Sequence, residues 1–158
     1  MDVSAAARAI KRGEIVGVPT DTVYGLAADP YDEAALDRLY EIKGRADGKP
    51  IAILVADLDQ GLSLGAMSDR ALELADRYWP GAMTLVVPRL DTAPTWLGDT
   101  KRRTVALRCP DHLVAMELLR LTGPLAVTSA NPSDGEPVNS AHEAEALFTD
   151  EVLTYLPG

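Results

Sequence analysis

One cysteine, Cys109, is the whole thiol inventory of this chain, so no internal disulfide can form and no cysteine cluster can hold a metal. Aromatic residues make up only 5% of the 158 positions, which leaves the core to Ala, Val, Leu and Ile. No apolar run approaches the ~20 residues that a membrane span requires. The opening Met1-Asp2-Val3-Ser4 lacks the basic and apolar regions of a secretory signal. Lys and Arg are outnumbered 15 to 24 by Asp and Glu, and the net charge of −9 argues against the broad phosphate-binding face of a DNA-binding domain. Neither a GxxxxGKS/T phosphate loop nor a GxGxxG fingerprint is present. His112 and His142 fall in the first turns of expected helices and read as structural or solvent-facing, so no Ser-His-Asp triad can be assembled. Cys109 itself reads as a small buried residue after a strand. These absences leave a soluble, cytoplasmic, single-domain protein with no membrane partner and no protein metal site expected.

What is there alternates between strand and helix patterns. Ser4–Arg12 is Ala-rich and closes at Gly13, as a helix with a glycine cap does. Ile15–Val18 is a short buried strand. Asp32 can cap a helix to Lys43 with Leu36, Leu39 and Tyr40 at helical spacing, ended by Gly44. Ile51–Val55 shows little alternation and predicts a strand buried on both faces. Ser68 caps a helix through Tyr78, stopped by Trp79-Pro80-Gly81. Met83–Val87 and Thr104–Leu107 predict two strands joined by a charged, proline-containing loop. Asp111 is the expected cap of a helix over His112–Leu121, closed by Gly123, and Leu125–Val127 is the next strand. Ser140-Ala141-His142-Glu143 fits a capping box for a helix to Phe148, and Val152–Leu156 predicts a sixth strand. The alternation implies α/β, and the strands adjoining Arg89–Arg103 without an intervening helix argue for a mixed rather than purely parallel sheet.

Two polar loops stand out. Pro19-Thr20-Asp21-Thr22-Val23-Tyr24-Gly25-Leu26 and Thr128-Ser129-Ala130-Asn131-Pro132 each follow a strand, which places hydroxyls and an amide at the strand's carboxyl end, where α/β sheets bind ligands. Ile42-Lys43-Gly44-Arg45 sets two cations around a glycine at a helix end, and Lys49 returns toward the same edge. Together these groups describe a pocket for a small anionic ligand such as a nucleotide. Plainer readings stand beside this one. Cations past a helix C-terminus are favoured by the macrodipole, the first loop is equally a polar turn closed by Gly25, and the second can satisfy its own backbone.

In order and spacing, five stretches carry a resemblance: PTDTVYGLAADP (19–30), IKGR followed by KPIAILV (42–55), RYWPGAMTLVVP (77–88), VALRCPDH (105–112) and GPLAVTSANPS (123–133). On these the chain resembles the YrdC-like family of threonylcarbamoyl-AMP synthases. The resemblance implies a twisted mixed sheet flanked by helices, with a positively charged concave cavity. It implies a nucleotidyltransferase joining L-threonine, bicarbonate and ATP, with Mg²⁺ accompanying ATP, into threonylcarbamoyl-adenylate and pyrophosphate. That product serves tRNA threonylcarbamoyl-adenosine modification, so tRNA and downstream threonylcarbamoyl-transfer proteins are the implied partners. Carried over by motif, Lys43 and Arg45 are the catalytic cations, Thr22 and Ser129 hold threonine, and Arg45, Lys49, Thr84, Asn131 and Ser140 line the nucleotide side.

Three departures from the family pattern accompany the match. Leu54 stands where many relatives carry a histidine, Ala46 replaces the proline that usually follows the two cations, and the family's usual C-terminal segment is expected to be lacking after residue 158. Two other readings therefore stay open, an RNA-binding YrdC-like protein without synthase activity and a paralogue acting on a related nucleotide or adenylate.

Overall fold

The amino-terminal helix α1 (Val3–Lys11) begins where the Asp2 carboxylate accepts from the N–H of Ala5 and presents Ala6, Ala7, Ala9 and Ile10 to the interior. It leads into β1 (Val16–Val18), β2 (Gly25–Ala28), α2 (Glu33–Lys43), β3 (Ile53–Leu54), α3 (Leu58–Leu62) and α4 (Asp69–Tyr78). The second half carries β4 (Leu85–Pro88), β5 (Thr104–Arg108), α5 (Leu113–Thr122), β6 (Leu125–Ser129), α6 (Ala141–Leu147) and β7 (Thr154–Tyr155). This computed structural model describes residues 2–44, 49–131, 135–148, 151–152 and 154–158. Among them no helix is long and apolar enough to cross a membrane.

The strands form one sheet in the order β4-β5-β3-β6-β2-β1-β7, mixed in direction as the sequence predicts. β1 and β6 are each antiparallel to β2 and so run the same way, which brings the carboxyl ends of both to one edge. β3 is antiparallel to β6 and parallel to β5, so β5 starts at that edge and ends, at Arg108, on the opposite one.

Helices cover the two faces unequally. On one face Leu26, Ala28, Ile53, Val87, Val105 and Leu107 pack with Leu36 and Leu39 of α2, Ala71 and Ala75 of α4 and Ala144 of α6. On the other, α1 and α5 cover Val16, Val18, Ala27, Leu54 and Leu125. Beyond this second cluster none of the described helices covers the face. Strand β4 alternates buried Leu85 and Val87 with exposed Val86 and Pro88, and Val86 is 67% exposed. In β5 the same side carries half-buried Thr104 and Ala106.

Several local expectations are corrected. Gly25 does not close a turn but opens a strand, because β2 lies so near β6 that a Cβ there would stand 2.8 Å from Val127 Cγ1. The cap of α5 is His112, whose Nδ1 accepts from the N–H of Val114 at 3.2 Å, rather than Asp111. A short helix, α3, follows β3 where the sequence reading had none, and the C-terminal strand is the seventh. Thr128 and Ser129 belong to β6 rather than to the loop after it.

Tyr24 locks the edge strands together. Its hydroxyl donates to Leu156 O at 2.6 Å, its N–H donates to Val138 O and its carbonyl accepts from Ala130 N, both at 2.9 Å. The ring is 1% exposed, and burial, with Tyr155 and Glu145 nearby, pushes its phenol well above the usual range. Gly17 makes room for it, since a Cβ there would meet Tyr155 Cδ1 at 2.5 Å and Tyr24 Oη at 2.8 Å. Tyr24→Phe is therefore expected to lower stability by about 1–3 kcal/mol, because it leaves the Leu156 carbonyl unsatisfied. Gly17→Ala should cost more, since it also displaces the ring. Chemical denaturation of the two variants beside the parent checks the order.

Candidate active site

At the edge shared by β1 and β6, the last residue of α2 turns inward. Gly44, in the left-handed region at φ 65°, ends the helix, and Lys43 just before it is only 3% exposed. Its Nζ donates to Ser129 O and Ser129 Oγ, both at 2.9 Å, and to Asn131 Oδ1 at 3.2 Å. A cation attracted only to the helix dipole would bond the carbonyls of its own last turn. Lys43 instead reaches 86 to 88 residues along the chain, so the two polar motifs are physically one cluster. Asn131, itself 4% exposed, donates from Nδ2 to Gly135 O at 2.9 Å.

Thr22 lies elsewhere, in the β1–β2 loop. Thr20 organises that loop by accepting from the Thr22 N–H at 3.2 Å and donating to Val23 O at 2.5 Å. The loop then reaches past β2, β6 and β3 to the end of β5. There Arg108 Nη1 donates to Asp21 Oδ1 at 2.6 Å and to Gly81 O at 3.2 Å, and Nη2 donates to Thr22 Oγ1 at 3.2 Å. The Arg108 and Asp21 side chains are 10% and 16% exposed. Burial works against the Asp21 charge. The hydrogen bond and charge of Arg108, aided by the N–H groups of Asp111 and of Asp21 itself, outweigh it and hold the carboxyl below its usual range.

The sequence reading did not assign Arg108 a role. The available signal was a cation closing the apolar run Val105-Ala106-Leu107, where a strand end faces a sheet surface rather than open solvent. Leu54 is its neighbour in the β3–β5 register and lies 4% exposed in the core beneath α1 and α5.

The other expected positions are more dispersed. Thr84 is exposed, one residue before β4 and one step beyond the Leu85–Leu107 pair, which sets it near Arg108. Lys49 is exposed and lines a cleft of about 620 Å³ with Tyr40, Trp96, Lys101 and Arg102. Ser140 caps α6, its Oγ accepting from the N–H of Glu143 at 3.2 Å. Arg45 lies outside the described residues. Cys109 is unsuited to nucleophilic work, because burial and the nearby Asp57 push its thiol up to about 11. The site thus offers hydroxyls, amides and cations, a set that binds and orients anions rather than forming a covalent intermediate.

Residues 8–158 match the family model Sua5_yciO_yrdC, described as telomere recombination. A putative threonylcarbamoyl-AMP synthase from Mycobacterium tuberculosis is 44% identical over 98% of this chain and 71% of its own length. The threonylcarbamoyl-AMP synthase of Pseudomonas paraeruginosa is 36% identical, with 97% of this chain and 83% of that protein covered. Among solved structures, P. abyssi Sua5 complexed with L-threonine has the same fold, with a TM-score of 0.93 at 37% identity over 99% of this chain. The match takes in 46% of the P. abyssi chain, so the present chain spans about half of that protein. With the match covering nearly all of its residues, this chain belongs to the Sua5/YciO/YrdC family.

Proposed function

We infer that this chain is a threonylcarbamoyl-AMP synthase, a nucleotidyltransferase that forms threonylcarbamoyl-adenylate from L-threonine, bicarbonate and ATP for tRNA modification. The observation that carries the reading is the shared fold, at 37% identity, with a relative whose structure holds L-threonine. The residues described above suit the chemistry. The threonine amine adds to bicarbonate to give a carbamate, whose oxygen attacks the α-phosphorus of ATP while pyrophosphate leaves. Carbamate and triphosphate are both anions, so their approach has to be offset by fixed cations and donors.

Arg108, a planar fork at the end of the uncovered face, suits the threonine carboxylate, with Thr22 beside it and Ser129 completing the amino-acid side. Lys43 and Arg45 act on the carbamate and phosphate charges, and Lys49, Thr84, Asn131 and Ser140 belong to the nucleotide side. Mg²⁺ would enter as the ion of MgATP and would offset charge on the phosphates. The adenylate is a reactive mixed anhydride, and its consumption by transfer to tRNA calls for further proteins.

Pyrophosphate release from ATP that requires both threonine and bicarbonate is the direct assay, and release independent of either would sink the reading. Lys43→Met, which keeps the aliphatic stem but removes the charge, is expected to slow this release by about a hundredfold or more. It should also cost about 1–3 kcal/mol of stability, because Asn131 Oδ1 loses a donor. Full activity in a destabilised Lys43→Met protein would assign Lys43 a purely structural role. For Asn131→Ala, calorimetry should show weakened ATP binding with threonine binding less affected, since Asn131 belongs to the nucleotide side.

A further inference from the structure

The guanidinium of Arg108 has five N–H donors, and their use is uneven. Both Nη1 protons are spent, one on the Asp21 carboxylate and one on the Gly81 carbonyl. Nη2 gives one to Thr22 Oγ1 and keeps one. Nε makes no hydrogen bond, yet among the described residues no fully buried side-chain nitrogen or oxygen lacks a partner. Nε is therefore not fully buried and stays open to a ligand. The free donors lie on Nε and Nη2, which together can engage both oxygens of a carboxylate.

We propose that Asp21 is a positioning residue for substrate recognition. Paired with Nη1, it turns Arg108 so that the Nε–Nη2 side is presented to the carboxylate of the amino-acid substrate. This rests on the reading of the chain as a threonine-using synthase. The geometry favours orientation over competition, because Asp21 and an incoming carboxylate use different nitrogens of the same guanidinium. A planar fork on an unbranched stem has several rotamers, and without an anchor at Nη1 most of them aim the free donors elsewhere. Thr22 is held separately, by Nη2 and by Thr20, so the Asp21 pair at Nη1 acts on the carboxylate fork alone. Asp21 touches no substrate in this scheme.

The test is calorimetric titration of L-threonine, and of L-threoninol, which lacks the carboxylate, into the full chain and its Asp21→Asn, Asp21→Ala and Arg108→Lys variants. Melting curves and steady-state pyrophosphate release run alongside. Threonine affinity should fall by about tenfold in Asp21→Ala and less in Asp21→Asn, which keeps an oxygen acceptor. L-Threoninol binding should be unchanged, and the effect on release should appear in KM for threonine rather than in kcat. In an Arg108→Lys background, Asp21→Ala should have no further effect. Tighter threonine binding in Asp21→Asn would overturn the proposal by showing that Asp21 competes with the substrate. Equal losses for threonine and L-threoninol would overturn it in favour of a structural role. An Asp21→Asn and Asp21→Ala pair that both bind threonine like the parent would overturn it alone. A parent chain that binds no threonine would remove the synthase reading and this proposal with it.

Discussion

A buried ammonium group is the contact on which the rest of the site depends. Lys43 Nζ, at the end of α2, bonds the hydroxyl and carbonyl of Ser129 and the amide of Asn131. An ammonium inside a protein is tolerated only when its donors are met, so the helix end and the loop after β6 are held at fixed separation. The arrangement also requires β1 and β6 to run in the same direction, which their common antiparallel partner β2 enforces. Tyr24 stabilises that pairing from the inside, and Gly17 and Gly25 leave the space that it and the neighbouring strand need.

A second constraint is the unequal covering of the sheet. Helices α1 and α5 are too few to reach β4 and β5, so the second face ends in small and polar side chains instead of a core. A buried arginine closes its far end. The β1–β2 loop crosses toward that arginine and is fastened by Asp21 and Thr22. Lys43 and Ser129 thus stand at one edge of the sheet, and Arg108 stands at the end of β5 toward the other.

Leu54 illustrates how neighbouring positions divide between fold and site. Its backbone pairs with Arg108 and with Leu125, yet its side chain belongs to the core under α1 and α5. A leucine there adds packing to the scaffold behind the guanidinium and supplies no hydrogen bond to a ligand. The hydroxyl bonded to Arg108 is that of Thr22, with Thr84 one step beyond the β4–β5 register.

Local chemistry was enough to read much of this from the sequence. Asp32 and Ser140 announce their helices because a short polar side chain satisfies the first N–H groups, and the apolar run before Val55 announces a strand buried by its neighbours. The five motifs likewise marked Lys43, Ser129 and Asn131, since their residue types in that order recur within one family. Sequence alone left open a turn ending at Gly25, because the need for glycine comes from Val127, about a hundred residues away. It also passed over Arg108, whose importance rests on three partners from two distant loops. Composition, caps and periodicity act within a few residues and so fix element type and the supply of charged and hydroxyl groups. Strand order and the bare half of one sheet face depend on contacts between separate segments, and the pairings of Lys43 with Ser129 and of Asp21 with Arg108 span more than 80 residues, so only the tertiary structure decides them.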